Sequence, residues 1–137
     1  MVSKIREMFL MIDVDFDNAL NTVYLHYGSL WTWDEYHNAL DNVAACANNT
    51  GEAVAVVLDM SETTYMPPEQ FAEHVRFAIE GQLVGWARLL IYQLRRNSSL
   101  RDLYAAVHQQ YAQPDLTVRF ASSADEAVAL LSAPCAS

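Results

Sequence analysis

Two groups of side chains have types and spacings that suit chemistry. The first is Asp59, Ser61 and Glu62 in "LDMSE", where an apolar run breaks into a polar turn. Open α/β sheets place ligands at the carboxyl ends of their strands. These residues therefore suit a polar floor for a small ligand or a partner, with Gln93 beside it at the end of a later apolar run. They equally suit an Asx- or ST-type turn that satisfies loop N–H groups, and that plainer reading is preferred. The second group is Arg95, Arg96 and Arg101 around Asn97-Ser98-Ser99, three of the chain's eight basic residues at the start of a helical pattern. Helix N-terminal amides and guanidinium groups together suit a phosphate or carboxylate, hence a small anionic ligand. The competing reading is that these arginines offset nearby acids on an acidic surface.

Asp34, His37 and Asp41 share one flank of a helical pattern. As metal ligands they would need a further partner and supporting groups, so they read as a solvated flank. His26 falls in a strand pattern, and His74 and His108 on separate helices. Neither a G-x-S-x-G elbow nor a phosphate-binding glycine-rich loop exists among four glycines. Cys46 and Cys135 have no metal spacing. The expectation is a protein without catalytic residues, metal or cofactor.

Among the aromatics, Trp31 suits a hydrophobic staple with Tyr36, whereas Phe77 falls off the inner stripe of its helix. Large aromatics that miss the core mark interfaces, so Phe77 with Met66 and His74 is the candidate contact surface.

The elements that must position these residues follow from apolar periodicity. A strand over roughly Met8 to Phe16 and the alternating "TVYLHYGS" from Thr22 form an antiparallel hairpin. The first helix opens at "WTWDEY" with Thr32 and Glu35 as a capping box, and Tyr36, Leu40, Val43 and Ala47 line its inner face. "AVAVVLD" reads as a strand covered on both faces. The second helix starts near Pro67-Pro68 and buries Phe71, Val75, Ala78 and the stem of Gln82. "WARLLIYQ" is the next strand, and a third helix from Ser99, with Asp102 at a capping-box position, buries Leu100, Leu103, Tyr104, Val107 and Tyr111. "LTVRFAS" and "SADEAVALLS" supply a last strand and a last helix capped by Ser123 and Glu126.

The order is β-β-α-β-α-β-α-β-α: one α/β domain over residues 1–137, its core about 8–132, with a mainly parallel sheet of about five strands, an N-terminal antiparallel hairpin strand and four helices. An apolar share of 53% with 18% charged residues is that of a globular chain. No apolar run approaches the roughly 20 residues that span a bilayer, and "MFLMI" is too short for a secretory core. The expected compartment is the cytoplasm. A formal charge of −9 argues against nucleic acid or an anionic membrane as partner.

The element order, with "GSLWTWDEY", "AVAVVLDMSE", "ARLLIY" and "VRFASSADEAVALL", resembles the STAS-like superfamily, the fold of bacterial anti-sigma-factor antagonists. That resemblance implies a regulatory module whose second helix opens on a phosphorylated serine. Here that position falls at Pro67 or Pro68, which have no hydroxyl, while Ser61, Thr63 and Thr64 lie in the loop before it. The frame is kept and the switch is missing. The leading expectation is a non-enzymatic module that binds another protein, a second copy of itself included. The alternative is a small-ligand or lipid-binding domain with a pocket beside Asp59 and Gln93.

Overall fold

A computed structural model describes residues 12–63, 70–96 and 98–132. Five strands, β1 (Ile12–Asp17), β2 (Thr22–Tyr27), β3 (Val54–Asp59), β4 (Ala87–Gln93) and β5 (Thr117–Ala121), lie in the spatial order β1-β2-β3-β4-β5. β1 pairs antiparallel with β2, and every other pairing is parallel. Four helices complete the α/β architecture: α1 (Trp33–Thr50), α2 (Phe71–Phe77), α3 (Leu100–Gln110) and α4 (Ala124–Ser132). α2 runs on into a π-helical turn, Ala78–Leu83.

Right-handed crossovers that step along the sheet in one direction stack their helices on one face. The main core accordingly joins Val23, Leu25, Val56, Leu58, Leu90 and Tyr92 to residues of α1, α2 and α3. On the other face a smaller cluster of Val57, Ile91 and Ala121 packs on Ala127 of α4. β3 is sandwiched between the two, which explains its unbroken apolar run.

α1 begins as its sequence dictates. Thr32 accepts from the Glu35 amide at 3.2 Å, and the Glu35 carboxylate accepts from the Thr32 amide at 2.9 Å. Trp31 stacks on Tyr36 with centroids 5.5 Å apart. At its end Gly51 takes a left-handed φ of 79° and its N–H bonds the Ala47 carbonyl, a conformation that only glycine adopts without strain. α4 is capped by Ser123, whose hydroxyl accepts from the Glu126 amide at 3.1 Å. Glu126 reaches back one residue further, to the Ser122 amide at 3.2 Å.

Some expectations need correction and others fall outside the described residues. β1 is described from Ile12 to Asp17, one residue beyond the predicted end, and residues 8–11 lie outside the described part. So does the predicted start of the second helix at Pro67-Pro68. The third helix is not capped by Ser99, whose backbone is already helical; the Ser98 hydroxyl accepts instead from the Leu100 amide at 3.2 Å. Its buried stripe is rotated as well. Leu103 is exposed and His108 is buried, because Tyr92 in the sheet offers His108 a hydrogen bond at 2.6 Å.

Candidate functional site

The parallel register aligns His26, Asp59 and Gln93 across the carboxyl ends of β2, β3 and β4. Asp59 is the hub. Its Oδ1 accepts from the Ser61 amide at 3.1 Å and from the Ser61 hydroxyl at 2.7 Å. That is the Asx turn preferred from the sequence. Its Oδ2 lies 3.3 Å from His26 Nδ1, and His26 Nε2 lies 3.5 Å from Asp15 Oδ2 on the edge strand. The Met60 amide donates to the Gln93 carbonyl at 2.9 Å, which carries the β3–β4 pairing past Asp59. Arg95 then crosses to the same loop, donating from Nε to the Ser61 carbonyl at 2.7 Å. Asp59, Ser61, Gln93 and Arg95 are thus brought together, and His26 with Asp15 joins them unannounced.

The anion-binding group is not assembled in the same way. Arg95 is committed to Ser61, Ser98 to the cap of α3, and the Arg101 guanidinium sits over the Phe120 ring, 5.4 Å from its centroid. Arg96 and Ser99 are exposed, and Asn97 lies outside the described residues. Chemically the Asp59 centre is a brace. The Ser61 proton goes to the Asp59 carboxylate, and His26 faces the carboxylates of Asp59 and Asp15 rather than the hydroxyl. Among the described residues no group of three His, Cys, Asp or Glu side chains is placed to hold a metal ion.

A second polar centre lies in the seam between α1 and the π turn, and it corrects the reading of Asp34, His37 and Asp41 as a solvated flank. Gln82, buried, donates from Nε2 to the His37 carbonyl and to Asp41 Oδ1, each at 2.8 Å. Both partners are acceptors, so the amide orientation is fixed and Oε1 must face His37 Nδ1 at 2.7 Å. His37 therefore carries its proton on Nδ1. In the neutral ring Nε2 is then an acceptor for His74 Nδ1–H at 2.8 Å. His74 also stacks on Trp33, centroids 4.5 Å apart at 9°. Burial, and next the charge of His37, hold its pKa below the usual histidine value. Asp34 takes no part in these hydrogen bonds. The π turn is what rotates Gln82 to α1, and π turns recur at functional positions.

Of the expected contact trio, Met66 lies outside the described residues and His74 is spent inside the seam. Phe77 projects, 58% exposed, touching His37 only edge-on at 5.2 Å. Trp31 and Trp33 are buried and Trp86 is partly exposed.

A cleft of about 270 Å³ opens elsewhere, between α3 and β5, lined by Ile79, Ala105, His108, Leu116, Val118 and Phe120 among others. It is not lined by Asp59 or Gln93. Burial pushes His108 at its edge down to about 4.

Sequence reasoning missed His26, the His37–His74 pair and Gln82 as a bridge. Asp59 for His26, and the partners of the other three, lie 33 to 45 residues away, and no local spacing signals such pairs. Among the described residues no helix is long and apolar enough to cross a membrane. No family model matches the sequence, and no curated protein and no solved structure matches it either.

Proposed function

We propose that this chain is a non-enzymatic, cytoplasmic regulatory module of STAS-like type that works by binding another protein, a second copy included, through the face of α2 around Phe77. One observation carries the reading. Val75, Ala78, Ile79, Gln82 and Leu83 already seat α2 and its π turn, yet Phe77 stays 58% exposed beside them. An aromatic ring held in water by an otherwise satisfied helix is suited to an interface. Pro67 and Pro68 stand where the resemblance would put a phosphorylated serine, so the contact is constitutive rather than switched there.

The test is Phe77→Ser, read by sedimentation and thermal unfolding. The reading expects stability to fall by less than about 1 kcal/mol, as for surface positions, while association weakens. A loss of several kcal/mol with association intact would make the ring core and remove this face as the interface.

A further inference from the structure

Buried polar atoms in folded proteins nearly always have a partner, and each exception calls for a physical reason. Here four exceptions gather in one place: Tyr27 Oη, Trp31 Nε1, Trp33 Nε1 and Tyr104 Oη are buried without a hydrogen-bond partner. All four residues are at most 9% exposed. Their rings form a continuous set at the carboxyl end of the sheet, on the helix-covered face. Tyr27 meets Trp31 at 5.4 Å, Trp31 meets Trp33 at 5.0 Å, and Phe71 links Trp33 to Tyr104 at 6.1 and 5.0 Å.

The chemistry of the set is lopsided. Indole N–H groups only donate, and a phenol has one proton to give. Of the neighbouring tyrosines, Tyr92 is already hydrogen-bonded to His108 at 2.6 Å. The set has four protons to give and only its two phenol oxygens to take them. Nor does it hold a cation to balance an anion: His74, stacked on Trp33, is half-buried, and burial disfavours its charged form. A buried carboxylate would go uncompensated there.

From this surplus of donors between aromatic faces we infer that Tyr27, Trp31, Trp33 and Tyr104 form a binding site for a small, neutral, planar molecule that carries carbonyl oxygens. The indole and phenol protons go to its oxygens and the rings supply apolar walls; Trp31 meets Tyr27 at 69° and Trp33 at 85°, so these rings meet the molecule by edges as well as faces. This lies at the end of the sheet where open α/β folds seat ligands, and it is independent of the Phe77 surface.

The experiment titrates the full chain with benzamide, a neutral ring bearing a carbonyl, and with toluene and benzoate as the same ring without an acceptor or with a charge. Tryptophan fluorescence and the thermal midpoint are the readouts. Benzamide should shift both saturably and bind at least tenfold more tightly than either control. Trp33→Phe, which keeps a ring and loses the N–H, should weaken benzamide at least tenfold. Benzamide's single carbonyl oxygen accepts at most two protons, so at least one of Tyr27→Phe and Tyr104→Phe should do the same, and both should leave the unliganded protein as stable as before or more so, because each removes an unpaired hydroxyl. Equal binding of toluene, no saturable response to benzamide, or undiminished binding by Trp33→Phe or by both tyrosine variants would each overturn the assignment, as would a crystal structure of the benzamide-soaked protein showing only water on these four atoms. None of these outcomes would touch the reading of Phe77.

Discussion

Replacing Gln82 by leucine tests the polar seam between α1 and α2. The substitution keeps the volume and removes three contacts at once: the acceptor for His37 Nδ1 at 2.7 Å and the donors to the His37 carbonyl and Asp41 Oδ1, both at 2.8 Å. A neutral intramolecular hydrogen bond is worth about 1 kcal/mol net, and a buried group left without a partner costs about 1–3 kcal/mol. Asp41 is exposed and rehydrates, whereas the His37 groups are partly covered. The expected loss is therefore about 2 kcal/mol. Unfolding entropies near 2.1 cal/mol/K per residue over 137 residues turn that into a midpoint roughly 7 °C lower. Gln82→Glu should cost at least as much at neutral pH, since it puts a second carboxylate beside Asp41 and forfeits both donors. Urea unfolding of the three proteins at one pH is the assay. A Gln82→Leu loss below about 0.5 kcal/mol would mean that the seam is a solvated flank after all, and that the π turn is not held by this residue.

Two more perturbations follow from single contacts. Burial lowers the His108 pKa to about 4 from 6.5, so the unfolded chain binds the extra proton first. Stability from this residue is complete above pH 6.5 and is lost as pH falls toward 4, by an amount on the order of 3 kcal/mol. His108→Gln keeps a partner for Tyr92 and should flatten the stability–pH curve over that window; an unchanged slope would place the acid sensitivity elsewhere. Thr32→Ala removes the hydroxyl half of the α1 capping box, the acceptor for the Glu35 amide, and leaves the residue-32 amide to the Glu35 carboxylate; it should cost about 1 kcal/mol by denaturant unfolding, with a loss below 0.3 kcal/mol showing that the hydroxyl is dispensable.

What could be read from the chain alone was what neighbouring residues decide. The Thr32–Glu35 box, the Trp31–Tyr36 staple and the Gly51 stop each lie within a few residues and needed no tertiary knowledge. The unbroken apolar run of β3 announced burial on both faces, and the order of elements led to the mixed sheet. The candidate sites were less legible, because sheet register and helix rotation build them. His26 meets Asp59 only because β2 and β3 align in parallel. Gln82 meets His37 only because α2 ends in a π turn, for which the sequence has no signature. The Ser98 cap and the buried His108 show the same limit on a smaller scale: one residue of slippage, or a tyrosine across the core, settles which side chain is used. Phe77 was legible because helical periodicity alone leaves it off the packed stripe.

The central claim is that the surface around Phe77 meets a protein, and site-specific photo-crosslinking tests it most directly. A photoreactive phenylalanine analogue is placed at position 77 and, as a control, at Val128, which is 45% exposed on α4. Both proteins are expressed in the chain's own host and irradiated. The account predicts a discrete protein adduct from position 77, identifiable as another protein or a second copy, and none from position 128. No adduct at 77, or the same diffuse adducts from both positions, would contradict it.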